Sequence, residues 1–155
     1  MSDIAAKLAE LGLELPKPAA PVAAYVPAVE HGGLLYISGQ LPFRDGQVVT
    51  GRLGDDTDVA SGYDAARRCA LMLVAQIGQA LDGDWSRVER VVKLGVFVNS
   101  APSFTDQAKV ANGASELFES LFGEAGRHAR AAVGVAVLPL GASVEADAIV
   151  AVKAA

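Results

Sequence analysis

The chain alternates between apolar runs with a period of two and apolar stripes with a period near 3.6, separated by glycine and proline. Near the start, Ile4, Leu8 and Leu11 share one helical face, with Ser2 or Asp3 as a cap and Gly12 as a stop. Pro16, Pro18 and Pro21 then forbid a regular element. Residues 1–21 therefore read as an arm lying over a single domain that spans 1–155, with its core at 22–152. Residues 25–29 are extended, Gly32-Gly33 is a turn, and Leu34-Leu35-Tyr36-Ile37-Ser38 is a strand rich in β-favouring residues. Arg44-Asp45-Gly46 is a hairpin turn leading to a short return strand at 47–50. The longest stripe carries Ala65, Ala66, Cys69, Leu73, Ile77 and Leu81 and predicts a helix over 59–81. A strand over 88–98 follows. A second helix, from 104 or 108 to 122, buries Val110, Ala114, Leu117 and Leu121, and Gly123 and Gly126 end it.

Two valine-rich runs close the chain on either side of Pro139-Leu140-Gly141, the pattern of two buried strands joined by a turn. The order is βββαβαββ, an α+β fold in which two amphipathic helices cover one face of a mixed sheet. The strands are too apolar on both sides to leave the other face in water, so a further copy of the chain is expected to cover it.

Composition narrows the function. Hydrophobic residues make up 52% of the 155 and aromatics only 6%, so the core relies on small and branched side chains. The net charge of −5 argues against a nucleic-acid partner. The single cysteine, Cys69, allows neither an intrachain disulfide nor a two-cysteine zinc motif, and two histidines alone suggest no metal site. No run approaches the roughly 20 apolar residues of a membrane span. The start lacks the features of a signal peptide, so a cytoplasmic protein with no membrane partner is expected.

Charges inside apolar strands need a partner or a ligand, and the last two strands hold two. Along 130–138, alternation puts Arg130 on the same face as the small Ala132, Gly134 and Ala136, which leaves room for a ligand. An arginine there can hold a carboxylate through two parallel hydrogen bonds; otherwise it pairs with Asp147 or a helix C-terminus. If Leu140-Gly141 is a two-residue hairpin turn, Arg130 and Glu145 lie on one sheet face, about six positions apart. At about 3.3 Å per residue that is roughly 20 Å. They then do separate jobs, or a subunit interface unites them. Glu145 alternatively forms a surface ion pair. His128 is an anion ligand, a base, or an exposed histidine before the strand. Tyr25 is core or pocket wall, and Ser38-Gly39-Gln40 offers a hydroxyl, close backbone access and an amide.

Several of these stretches together resemble the YjgF/RidA family, also known under an older endoribonuclease label. Residues 35–42 (Leu-Tyr-Ile-Ser-Gly-Gln-Leu-Pro) resemble one of its signatures, and Val96-Phe97-Val98 fits its central strand. Residues 129–139 with 144–149 resemble its C-terminal signature. The resemblance implies a chorismate-mutase-like fold and a homotrimer with an inner barrel of sheets and intersubunit clefts. It implies hydrolysis of enamines and imines derived from amino acids to 2-keto acids and ammonia, without metal or organic cofactor. Arg130 matches the family's carboxylate-holding arginine, and Glu145 its acidic residue near the attacking water. Tyr25 matches a pocket tyrosine contributed across the interface; Ser38 and Gly39 match the pocket wall. Asn112 stands where the family has a pocket asparagine. Ala132 replaces a frequent cysteine or serine, so only its backbone can serve. The alternative implied by that replacement is a trimer that binds small carboxylates without turning them over.

Overall fold

The computed structural model describes residues 3–18, 20, 21 and 23–155. Ser2, one of the two caps considered for the first helix, lies outside them. The other, Asp3, accepts hydrogen bonds from the backbone N–H groups of Ala5 and Ala6 and caps α1 (Ile4–Glu10). One turn apart, Ile4 and Leu8 are both buried, and Lys7 Nζ donates to the Leu121 carbonyl at 3.0 Å. The arm therefore begins with a helix docked on the domain.

A five-stranded sheet is built from β1 (Ala28–His31), β2 (Leu34–Gln40), β5 (Val88–Asn99), β6 (Ala129–Val135) and β7 (Val144–Val152). Gly32 and Gly33, both at positive φ, turn β1 into β2. Asp45 and Gly46, at φ 51° and 76°, turn a separate small hairpin of β3 (Phe43–Arg44) and β4 (Gln47–Val48). The predicted return strand is thus paired with a two-residue strand that the hydropathy pattern did not single out. Helices α2 (Val59–Ala80) and α3 (Gln107–Phe122) pack on one face of the large sheet. The predicted α2 stripe is buried throughout, and burial pushes the Cys69 thiol pKa well above its usual value.

The spatial order is β1-β2-β7-β5-β6, with β5 antiparallel to β7 and parallel to β6. This corrects the expected hairpin: β6 and β7 are not neighbours, because β5 lies between them. The turn segment is tied elsewhere. Ser143 N donates to the Val49 carbonyl and Gly51 N to the Gly141 carbonyl, so 139–143 crosses to the β4 region instead of folding back.

A second correction follows. Arg130 stands opposite Leu94, which stands opposite Ala148; Leu94 and Ala148 are buried under the helices. Glu145 stands opposite Phe97, which stands opposite Val133 on the other side. That row belongs to the face without helices, so Arg130 and Glu145 lie on opposite faces. The uncovered face presents Tyr36 (45% exposed) and Val133 (46% exposed), with Phe97 and Ile149 beside them. Among the described residues, no helix is long and apolar enough to cross a membrane.

Candidate active site at the two edges of the sheet

One half of the site lies at the β6 edge. Ala108, Asn112 and Ser115 occupy positions i, i+4 and i+7 of α3 and so share a helix face. Arg130 reaches that face from β6. Its Nη1 donates to Asn112 Oδ1 at 2.9 Å and to Ser115 Oγ at 3.0 Å, and its Nη2 donates to the Ala108 carbonyl at 3.3 Å. A guanidinium carries five N–H donors. Three are taken, which leaves the one on Nε and one on Nη2. These adjacent donors form a fork suited to both oxygens of a carboxylate. Among the described residues Arg130 makes no ion pair. Asp147, the partner considered from sequence, is on the other sheet face and accepts from Gly95 N at 3.1 Å. Ala108 is in the first turn of α3, so the guanidinium is not at a helix C-terminus either.

His128 is half-buried rather than an exposed histidine before the strand. Its Nδ1 lies 2.6 Å from the Gly126 carbonyl and its Nε2 2.9 Å from Ser115 Oγ. A carbonyl only accepts, so Nδ1 carries a proton. In the neutral ring Nε2 then accepts from the Ser115 hydroxyl, whose oxygen accepts from Arg130. Burial lowers the His128 pKa, and the Arg130 charge lowers it further, against the opposing effect of the Gly126 bond. The ring packs edge-on against Phe118. A cavity of about 200 Å³ is lined by Ser115, Glu119, Arg127, His128 and Arg130.

The other half lies toward β1 and β2. Glu145 projects from β7 on the helix-free face and, among the described residues, makes no hydrogen bond or ion pair; the surface ion pair considered from sequence is absent. Burial raises its carboxyl pKa, and the nearby Asp147 charge adds to this. A Cβ built at Gly39 would stand 2.1 Å from Glu145 Oε1, so glycine is what admits the carboxylate here. The ladder between β2 and β7 slips between Ile37 and Gln40, a bulge that sets Ser38 and Gly39 against one partner position. Ser38 Oγ donates to the Val26 carbonyl at 2.8 Å. Tyr25, next in the chain, is 53% exposed and is not core.

Ala132 stands opposite Val96 and packs at the margin of the core. It brings no functional side chain to Arg130. Strands in a sheet are about 4.8 Å apart, so three strand spacings, roughly 14 Å, separate β2 from β6. Within one chain, Arg130 with Asn112 and His128 forms one group; Tyr25, Ser38, Gly39 and Glu145 form another. Ser115 was not among the sequence candidates. Its only sequence signal is its spacing of three from Asn112. Among the described residues, no group of three or more His, Cys, Asp or Glu is placed to hold a metal ion.

Comparison with known proteins gives this arrangement a setting. The family model described as YjgF/chorismate mutase-like, putative endoribonuclease, matches residues 5–149. The chain belongs to the YjgF family. Protein TCP17 of Trypanosoma cruzi is 58% identical over 149 residues, covering 95% of this chain and 92% of the relative. A 2-iminobutanoate/2-iminopropanoate deaminase of Dermatophagoides farinae is 29% identical over 138 residues, covering 86% and 89%. Among solved structures, a protein of unknown function from Agrobacterium tumefaciens superposes with a TM-score of 0.91 at 52% identity, over 97% of this chain and 92% of that one. A putative endoribonuclease from Shewanella oneidensis gives a TM-score of 0.92 at 35% identity, over 97% and 99%. These YjgF-family structures share the mixed sheet and its helical cover.

Proposed function

We propose that this YjgF-family protein hydrolyses small 2-imino acids, and the enamines in equilibrium with them, to 2-keto acids and ammonia. The observation that carries the reading is the Arg130 guanidinium, held by Asn112, Ser115 and the Ala108 carbonyl with one forked pair of donors left over. The name of the mite relative supports the same substrate class.

The chemistry asks little more than positioning. An imine carbon is already electrophilic. Water adds to it, the nitrogen takes up protons, and the C–N bond breaks to release ammonia and leave the ketone. Arg130 holds the substrate carboxylate beside the reacting carbon. Glu145, with its raised pKa, is a better proton acceptor than a solvated carboxylate and takes a proton from the attacking water. Tyr25, Ser38 and Gly39 wall its side of the cleft.

The two halves require a second copy of the chain, whose β1–β2 side meets the β6 edge of the first. Closure of three copies into a ring with the apolar sheet faces inward supplies this contact and covers Tyr36, Phe97 and Val133. The reading is tested by generating 2-iminopropanoate and 2-iminobutanoate with an amino-acid oxidase and measuring keto-acid release. Acceleration that disappears in Arg130→Ala supports it. Binding of pyruvate without any turnover favours a carboxylate-binding trimer instead. Absence of both overturns the assignment of Arg130 as the anchor.

A further inference from the structure

We infer that Ser115 and His128 are the positioning pair of the Arg130 anchor, and that they make its grip on a carboxylate depend on pH. The inference rests on the reading of Arg130 as a carboxylate anchor, and extends it through Ser115, which holds Arg130, to His128, which holds Ser115.

The geometry is a relay of three groups. The Gly126 carbonyl fixes the proton on His128 Nδ1. The lone pair on Nε2 therefore points at Ser115 and takes its hydroxyl proton. That leaves a Ser115 oxygen lone pair for Arg130 Nη1. With Asn112 on the other Nη1 proton, the guanidinium plane is fixed at one end and its free fork at the other is aimed. Removing the hydroxyl frees an N–H of the anchor and allows the plane to turn.

Protonating His128 keeps the relay but changes its charge. Nε2 becomes a donor, and Ser115 Oγ can accept from both Nε2 and Nη1, since a hydroxyl oxygen has two lone pairs. The hydroxyl proton turns toward the cavity. A second positive charge now stands one hydroxyl away from Arg130, so an anion on the fork is held more tightly. The charged groups facing this cavity are Glu119 from α3 and Arg127 and Arg130 from the β6 segment. Arg127 is paired weakly with Glu119 and Glu124, at 4.0 and 3.8 Å. From β5, Arg90 donates to the Arg127 carbonyl. Burial lowers the His128 pKa, so the ring is neutral near pH 7 and the change falls on the acid side of the usual histidine range.

The test is calorimetric titration of the whole assembled protein with pyruvate from pH 7.5 to 5, on wild type and five variants. Wild type is expected to bind roughly ten-fold more tightly at the acid end. His128→Gln, whose amide oxygen can still accept from Ser115 but cannot titrate, is expected to match wild type near pH 7.5 and stay flat. Ser115→Ala is expected to weaken binding roughly ten-fold, and Ser115→Thr, which restores a hydroxyl, to recover it. His128→Ala is expected to weaken binding and lose the pH dependence. Thermal unfolding of each variant confirms that it folds. Arg130→Ala separates the two ideas. If it binds pyruvate as wild type does, the anchor itself is wrong. If it abolishes binding while Ser115→Ala binds normally, or His128→Gln keeps the wild-type pH profile, the anchor stands and the positioning pair is overturned.

Discussion

Gly113→Ala should be one of the most damaging single-methyl changes in this protein. Gly113 lies on α3 where its backbone meets that of α2. A Cβ at this position would stand 2.0 Å from the Tyr63 carbonyl oxygen, more than an ångström short of ordinary contact, and 2.9 Å from the Tyr63 carbonyl carbon. In an open helix the substitution would stabilise by about 1 kcal/mol, because alanine is the better helix former. Overpacking a core typically costs about 1–3 kcal/mol. The clash here is with helix backbone, which no rotamer change relieves, so the upper end applies. The expected net loss is about 2 kcal/mol, or a Tm lower by about 4–8 °C at fixed protein concentration. The displacement also reaches the site, because Asn112 is the adjacent residue on α3 and Ser115 is two residues on. Pyruvate affinity should therefore fall in parallel. Gly62→Ala is the control: its Cβ would meet the side-chain ends of Leu53 and Val110, which can move, so its loss should be smaller. Urea unfolding followed by circular dichroism, with calorimetry for binding, measures both effects. A Gly113→Ala protein as stable as wild type, with unchanged binding, would refute the account of helix packing and its link to Arg130.

Three further outcomes are expected. Arg130→Lys keeps the charge but loses the fork, so pyruvate affinity should fall at least about ten-fold by calorimetry. Gly39→Ala places a methyl on the Glu145 carboxylate, the movable end of a side chain; keto-acid release should drop about 100-fold while the Tm barely changes. The third concerns stability against pH. The folded pKa of His128 lies below its unfolded value, so its contribution is fully present above about pH 6.5 and is lost as pH falls through the lower folded value. In urea titrations His128→Gln should lose less stability than wild type between pH 7 and 5.

The helices were legible because their stripes are long and the second is closed by Gly123 and Gly126. The final strand pairing was not. Residues 131–138 are apolar on both faces, and 144–152 on one face and most of the other apart from Glu145 and Asp147, so hydropathy cannot tell a hairpin from two strands with a third between them. Pro139-Leu140-Gly141 has turn chemistry, with Leu140 at φ 59° and local bonds from Gly141 N and Ala142 N, yet Gly141 and Ser143 are also tied to Gly51 and Val49. That long-range choice leaves no local trace. Arg130 and Glu145 stood out because charge in an apolar strand is costly, but the side each faces followed from the pairing and was therefore misjudged. Asn112 came from resemblance and proved to touch Arg130. Ser115 escaped notice because a serine on a helix is ordinary until its partners are known.

The separation of the two groups along the sheet has a genetic consequence. In the proposed assembly, a cleft that takes its arginine from one polypeptide and its glutamate from another is indifferent to which gene copy encoded each. A chain defective at Arg130 still offers a sound Glu145, and a chain defective at Glu145 still offers a sound Arg130. Cells making both would assemble some clefts from the two intact halves, so two recessive lesions in one gene would partly conceal each other.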